Sequence, residues 1–182
     1  MTERNTRTRL CQTDPVLQSL TAEDEEIVTA QLGRAPRGVV GVVWRCPCGR
    51  PGVVSTRPRL EDGTPFPTTY YLTCPRAVAG CSSLEATGAM TELSERLRTD
   101  RDLAARYQGA HRAYLAQRSA LGEVPEIAGV SAGGMPNRVK CLHALLAHAL
   151  AAGPGVNPIG DWTRTELGDF WSQPCLTGEA GR

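Results

Sequence analysis

Seven of the ten cysteine and histidine residues, the side chains that most readily do chemistry in this sequence, occur in three short clusters along its 182 residues. In chain order the clusters contain Cys46 and Cys48, then Cys74 and Cys81, then Cys141, His143 and His148. Thiolates and imidazoles hold zinc or iron in proteins, and a cysteine beside a histidine can also act as a nucleophile with its base. The clusters therefore predict a site, but they do not name a reaction.

The first two clusters together predict a four-thiolate metal site made of Cys46, Cys48, Cys74 and Cys81. In an extended segment, residues two apart face the same side, so the sulfurs of Cys46 and Cys48 can reach one ion. Gly49 allows a positive φ, which lets the backbone fold over the sulfurs and offer N–H groups to them. We predict zinc here, with an iron–sulfur cluster as the second candidate and buried or redox-active thiols as the alternative.

The third cluster lies in a segment that predicts a helix over residues 137–152. On a regular helix, Cys141 and His143 point about 200° apart, and Cys141 and His148 lie about 10 Å apart along the axis. One helix therefore cannot offer all three groups to one ion. Cys141 and His143 stay in consideration, with Cys81, as the fourth ligand of the first site, and the alternative is a core histidine and a buried thiol.

A glycine-containing loop precedes the same predicted helix and could bind an anion. Free N–H groups at the start of a helix, with glycine upstream, suit phosphate or carboxylate. The Gly-Lys-Ser/Thr ending of a Walker loop is absent, and the alternative is a flexible loop that ends in a helix cap. The predicted anion-binding residues are Ser131, Gly133, Gly134 and Arg138.

The elements that position these residues follow from periodicity and turn signals. Thr21 and Asp24 resemble a capping box that opens a helix, and Gly33 is its predicted end. β-branched runs predict strands over residues 39–44, 53–56 and 68–73, and helical periodicity predicts helices opening at Ser82 and Thr99. The apolar helix over 137–152 is predicted to be central, followed by a short helix over 162–171.

These elements predict an α+β fold with a small, mostly antiparallel sheet packed against a helical bundle around one central buried helix. The length suits a single globular domain over residues 21–172. Residues 1–20 are predicted to be a disordered N-terminal arm, and residues 173–182 a loose C-terminal tail.

Charge and composition restrict the partners. The formal net charge is +1, with 41% hydrophobic and 5% aromatic residues. This composition predicts neither nucleic-acid binding nor membrane association. No apolar signal segment is visible near the start, so we expect a cytoplasmic protein in which the cysteines stay reduced or metal-bound.

Six segments resemble a bacterial domain-of-unknown-function family, number 501, over about residues 22–161. They are DGTPFPT at 62–68, YLTCP at 71–75, LEA at 84–86, SAGGMP at 131–136, RVKCLH at 138–143 and GPGVNPIG at 153–160. The resemblance implies a small cytosolic protein, often encoded beside a septum-formation initiator and an exopolyphosphatase-type phosphatase. That neighbourhood implies a link to cell division, envelope physiology or phosphate metabolism.

Two functions are compatible with these observations. The first is a zinc-binding, partner-binding or regulatory module that recognises an unknown protein. The alternative is a metal- or thiol-dependent hydrolase acting on a phosphate-containing or other anionic small molecule, with Cys141 or Cys74 as the thiol, a nearby histidine as the base and the loop over 131–134 holding the anion. A scaffold whose cysteines are merely buried is the third possibility, and the question of enzymatic activity stays open at this point.

Overall fold

A computed structural model describes residues 16–170 and Cys175. The strands are β1 (Val39–Arg45), β2 (Pro51–Thr56) and β3 (Tyr70–Leu72). The helices are α1 (Ala22–Leu32), α2 (Pro75–Ala86), α3 (Ala89–Thr99), α4 (Arg101–Leu121), α5 (Leu142–Ala152) and α6 (Pro158–Leu167), with a short 3-10 helix at Pro125–Ile127. The predicted α+β fold is confirmed.

The sheet is antiparallel, with strand order β1-β2-β3 and every residue of β2 buried. β1 and β2 form a hairpin whose last pair is Arg45 with Pro51, so residues 46–50 make its loop. α5 packs against β3, α2 and α6. Its residues from Leu145 onward are all buried, which confirms the predicted central helix.

Local sequence signals account for α1. The Thr21 hydroxyl accepts a hydrogen bond from Asp24 N–H at 3.1 Å, and the Asp24 carboxylate accepts one from Thr21 N–H at 3.3 Å. Gly33 ends the helix in the left-handed conformation with φ 68°. Both features match the prediction because a capping box and a glycine stop depend only on residues close in sequence.

The described part of the predicted N-terminal arm pairs with the sheet. Gln18 exchanges two backbone hydrogen bonds with Val42 in β1, at 2.8 and 2.9 Å. Gly41 permits this approach, since a Cβ there would lie 2.4 Å from the Gln18 carbonyl oxygen. Residues 1–15, the rest of that arm, lie outside the described residues, as does most of the predicted C-terminal tail.

Three predicted helix starts are wrong. α2 begins at Pro75 instead of Ser82, because proline suits the first helical position and lets the helix start directly after β3. α5 begins at Leu142 instead of residue 137, because residues 133–140 form a turn in which Lys140 N–H donates to the Gly133 carbonyl at 2.7 Å. α6 begins at Pro158 instead of residue 162, because the Asn157 side chain accepts a hydrogen bond from Gly160 N–H at 2.9 Å and so caps the helix.

No helix in the described residues is both long and apolar enough to span a lipid bilayer.

Candidate metal centre and the adjoining cavity

The loop of the β1–β2 hairpin carries Cys46 and Cys48. Cys46 N–H donates to the Arg50 carbonyl at 3.0 Å, and Gly49 N–H donates to the Cys46 carbonyl at 2.8 Å. Gly49 has φ 86°, the positive value predicted for it. Arg45 also donates to the Gly49 carbonyl at 3.2 Å, so the last residue of β1 holds the loop in shape.

Cys74 approaches the hairpin loop from the end of β3, at the N-cap position of α2, where its side chain makes no capping hydrogen bond. The Gly52 carbonyl of β2 accepts hydrogen bonds from Thr73 N–H at 2.9 Å and Cys74 N–H at 3.3 Å. A Cβ at position 52 would lie 2.3 Å from the Trp44 ring, so glycine is needed for this packing. The hairpin and the β3–α2 junction are therefore fixed against each other.

Cys175 completes a cluster of sulfurs. Its Sγ lies 3.1 Å from Cys48 Sγ and 3.4 Å from Cys74 Sγ, and the sulfurs of Cys46, Cys48 and Cys175 all lie within 4.8 Å of one another. No disulfide joins these thiols, because the two sulfurs of a disulfide lie only about 2.05 Å apart. Sulfurs around one tetrahedral zinc with Zn–S near 2.3 Å lie about 3.8 Å apart. Cys46, Cys48 and Cys175 could therefore hold a metal ion after the closest sulfurs separate by about half an ångström. Cys74 Sγ lies next to Cys175 Sγ but not within 4.8 Å of all three sulfurs, so it would have to move closer to become the fourth ligand.

Burial and hydrogen bonding both change the pKa values of these thiols. Burial raises the pKa of Cys46 and, together with side-chain hydrogen bonds to the three other thiols, that of Cys175. Burial also acts to raise the pKa of Cys48, but hydrogen bonds from the backbone and side chain of Cys175 and from the Arg50 backbone lower it to about 7. Backbone N–H groups directed at sulfur are the partners that a metal-bound thiolate needs.

The structure does not bring Cys81 to this cluster. Cys81 lies in α2 seven residues after Cys74, which places it about 10 Å further along the helix axis. Burial is the main reason that its pKa is raised to about 12, with added repulsion from Glu85 and Cys141. The residue that sequence reasoning missed is Cys175, because it lies alone near the C-terminus with no neighbouring cysteine or histidine to signal a site.

A second group of possible ligands consists of Glu85, Cys141 and His143, whose ligand atoms lie within 4.8 Å of one another. His143 Nδ1 lies 3.1 Å from Glu85 Oε1 and 3.8 Å from Cys141 Sγ. Glu85 Oε1 also accepts from Leu142 N–H at 2.6 Å, which fixes the carboxylate at the start of α5. The sequence did not point to Glu85, because it is one of many helical glutamates and its partners are more than 50 residues away.

The other ring nitrogen of His143 has separate partners. Nε2 lies 3.1 Å from the Val78 carbonyl oxygen and 3.2 Å from Ser82 Oγ. A carbonyl oxygen only accepts, so Nε2 carries a proton. The side-chain hydrogen bond with Cys141 raises the pKa of His143, burial opposes this and the charge of Glu85 supports it, with a result of about 9.

The prediction that Cys141 and His143 point in opposite directions is wrong. Cys141 precedes α5 with extended backbone, φ −156° and ψ 110°, so the helical angle between the two residues does not apply. His148 does lie elsewhere, as predicted. It is fully buried, and its ring stacks on the Tyr70 ring with the two centroids 5.7 Å apart. Its Nδ1 lies 3.1 Å from Asn157 Nδ2. Burial lowers the pKa of His148 to about 3, so the ring is neutral.

A cavity of about 580 Å³ adjoins the second group of ligands. Cys141 and His143 line it, together with Tyr70 and Tyr71 of β3 and residues of α1 and α2. Among the described lining residues none is Asp, Glu, Lys or Arg. A ligand in this cavity would therefore meet mostly apolar walls with the uncharged polar residues Gln31, Thr68 and Thr73, and one end that carries a thiol and an imidazole.

The predicted anion-binding loop does not lie at a helix start, because α5 begins at Leu142. Ser131 Oγ lies 2.9 Å from His111 Nδ1, so its hydroxyl has a partner within the protein. A Cβ on Gly133 would lie 2.6 Å from the Leu145 side chain, and one on Gly134 would lie 2.6 Å from the Arg138 carbonyl oxygen. The packing of α5 thus explains Gly133, and the fold of the turn itself explains Gly134. Anion binding by Ser131, Gly133, Gly134 and Arg138 stays a prediction.

Residues 42–165 match the sequence model of DUF501, a family described as proteins of unknown function. The chain belongs to this family. The matched region includes both hairpin cysteines, Cys74 and the group formed by Glu85, Cys141 and His143, and it ends before Cys175. Comparison with curated proteins and comparison with solved structures each gave no match.

Proposed function

We propose that the protein binds one zinc ion through Cys46, Cys48, Cys74 and Cys175, and that this ion is structural. The observation that carries the proposal is the meeting of four free thiols from three separate segments, the hairpin loop, the β3–α2 junction and the C-terminal region. Zinc is the usual metal for four thiolates, and a site with four protein ligands has no position open to a substrate.

The zinc fastens these three segments to one another. Four thiolates kept close together without a metal would repel each other, and four thiols, three of them buried, form only weak hydrogen bonds. With zinc bound, the free energy of metal binding contributes to folding, as it does in other structural zinc sites. A chain that keeps its zinc inaccessible in this way acts through its surface, so we assign it the role of a partner-binding or regulatory module. The link to cell division or envelope physiology stays a prediction from the family resemblance.

The choice between Cys175 and Cys81 provides the sharpest test. Zinc content is measured by elemental analysis on protein purified without a metal-binding tag, for the wild type, Cys175→Ser and Cys81→Ser. We expect about one tightly held zinc per chain in the wild type and in Cys81→Ser, whose buried thiol lies outside the cluster. Cys175→Ser should release its zinc to a chromogenic chelator at a concentration that leaves the wild type intact.

Three results would contradict the proposal. One is a wild-type protein without tightly bound metal. Another is loss of zinc in Cys81→Ser with retention in Cys175→Ser, which would restore the ligand set expected from the sequence. A brown protein with visible absorbance and bound iron would replace zinc by an iron–sulfur cluster.

A further inference from the structure

We propose that Glu85, Cys141 and His143 form a second, open metal site, which holds a zinc ion at the wall of the cavity. This site is separate from the four-thiolate cluster and does not depend on it. Its ligands come from α2 and from the start of α5, and the cavity that two of them line has a volume of about 580 Å³.

The ligand atoms have the spacing that a zinc ion requires. With Zn–N and Zn–O near 2.1 Å and Zn–S near 2.3 Å, tetrahedral geometry places N and O about 3.4 Å apart and N and S about 3.6 Å apart. The observed distances from His143 Nδ1 are 3.1 Å to Glu85 Oε1 and 3.8 Å to Cys141 Sγ. Each differs from the ideal value by a few tenths of an ångström, which small side-chain rotations supply.

The hydrogen bonds around these ligands also suit a metal. A histidine that binds zinc through one nitrogen usually donates its other N–H to a carbonyl or carboxylate, which fixes the ring. His143 Nε2 has this relation to the Val78 carbonyl at 3.1 Å, and Nδ1 is the nitrogen that faces Glu85 and Cys141. Leu142 N–H fixes the third ligand by donating to Glu85 Oε1 at 2.6 Å.

The same geometry does not suit a cysteine nucleophile with a histidine base. In such an arrangement the thiol contacts one ring nitrogen and the orienting carboxylate contacts the other. Here both Cys141 Sγ and Glu85 Oε1 face Nδ1, while Nε2 is used by a backbone carbonyl. A metal ion would lie between His143 Nδ1, Cys141 Sγ and Glu85 Oε1.

Three protein ligands leave a fourth zinc position for water or for an oxygen of a small molecule. Glu85 and Cys141 are partly accessible, as is His143, whose side chain is 25% exposed, so an ion and a ligand can enter. Two negatively charged ligands and one neutral imidazole would neutralise the zinc charge. Tyr71, which is partly exposed and lines the cavity, favours a ligand with an apolar part, whereas the Tyr70 ring is buried against His148.

The test is a zinc titration of the full chain, by calorimetry, after the four-thiolate site has been filled with its one equivalent. We expect the wild type to bind a second equivalent, and Glu85→Gln and His143→Asn to lose it. Glutamine keeps an oxygen that can accept from Leu142 N–H, so the start of α5 should stay intact in that variant, which circular dichroism checks. Cys81→Ser, a change one helical turn from Glu85 that removes no ligand, should bind the second equivalent normally.

An independent measurement uses alkylation of Cys141 by iodoacetamide, followed by peptide mass spectrometry. Zinc bound to the thiolate should slow alkylation by at least about tenfold, since a coordinated thiolate is a poorer nucleophile. The proposal would be overturned if Glu85→Gln and His143→Asn bound as many equivalents of zinc as the wild type. Rapid alkylation of Cys141 at a rate unaffected by zinc would also overturn it and would favour a thiol nucleophile.

Discussion

Replacing Asp24 by asparagine tests how strongly α1 stabilises the hairpin that carries the first two cysteines. Asp24 accepts two hydrogen bonds from Arg45, at 2.7 and 2.8 Å. The Asp24 side chain is 6% exposed and that of Arg45 is 30% exposed. Because Arg45 also donates to the Gly49 carbonyl at 3.2 Å, the ion pair connects α1 to the hairpin loop that carries Cys46 and Cys48.

The size of the effect follows from the pKa of the carboxyl group. The hydrogen bond from Arg45 is the largest influence on the pKa of Asp24, and burial opposes it, with a result lowered from 3.8 to about 2. A difference of this size corresponds to roughly 2 kcal/mol of folding free energy. Solvent around the partly exposed Arg45 weakens the interaction, so we expect about 1–2 kcal/mol.

The pH dependence has a defined sign. A carboxyl group whose pKa is lower in the folded protein stabilises the fold fully above its unfolded pKa, here 3.8. That stabilisation is lost as the pH falls toward about 2, because the folded protein must then take up the proton that the unfolded chain already holds. Asp24→Asn should therefore differ from the wild type at neutral pH and approach it in acid.

Urea unfolding followed by circular dichroism measures this difference at about pH 7 and about pH 3. The proposed zinc site would lose its metal in acid in both proteins, so the quantity of interest is the difference between them at each pH. Glu95→Gln is the matched control, since Glu95 and its partner Arg98 are 56% and 73% exposed, and no measurable change is expected. An equal stability at neutral pH, or a difference that persists unchanged in acid, would refute the reasoning.

Three further predictions concern the core. Gly160→Ala should cost at least about 1–3 kcal/mol in urea unfolding, since its Cβ would lie 2.2 Å from a backbone oxygen of α5, whereas Gly129→Ala meets nothing and should be neutral. Tyr114→Phe should cost about 1–3 kcal/mol in the same assay, because the Tyr114 hydroxyl accepts from the buried Thr69 N–H at 2.6 Å. His148→Phe should reduce the loss of stability between about pH 7.5 and 5.5, because burial lowers the pKa of His148 to about 3 and only the unfolded chain takes up that proton.

Much of the local structure could be predicted from the sequence. The capping box of Thr21 and Asp24, the strand before Cys46 and the positive φ of Gly49 all appear in the structure. These features depend on residues within a few positions of one another, so short-range hydrogen bonding and steric limits are sufficient to specify them. The buried central helix was predictable for a similar reason, because a segment that is apolar on all sides must be buried.

Helix boundaries beside proline and glycine were harder to predict. Ser82 and Glu85 have the spacing of a capping box, yet both lie inside α2. In the structure their side chains face His143, from a segment more than 50 residues away in the chain. The residue types match a capping box, but in the folded protein both side chains contact His143 instead of capping a helix.

The sequence by itself determined that Cys46 and Cys48 share a hairpin loop and that Cys74 follows a strand. Only the tertiary structure decided that Cys175 joins them, that Cys81 does not, and that Glu85 meets Cys141 and His143. The physical reason is that each of these contacts joins segments far apart in sequence. Their distances depend on how the sheet, α2 and α5 pack together, and no spacing between residues in the chain records that packing.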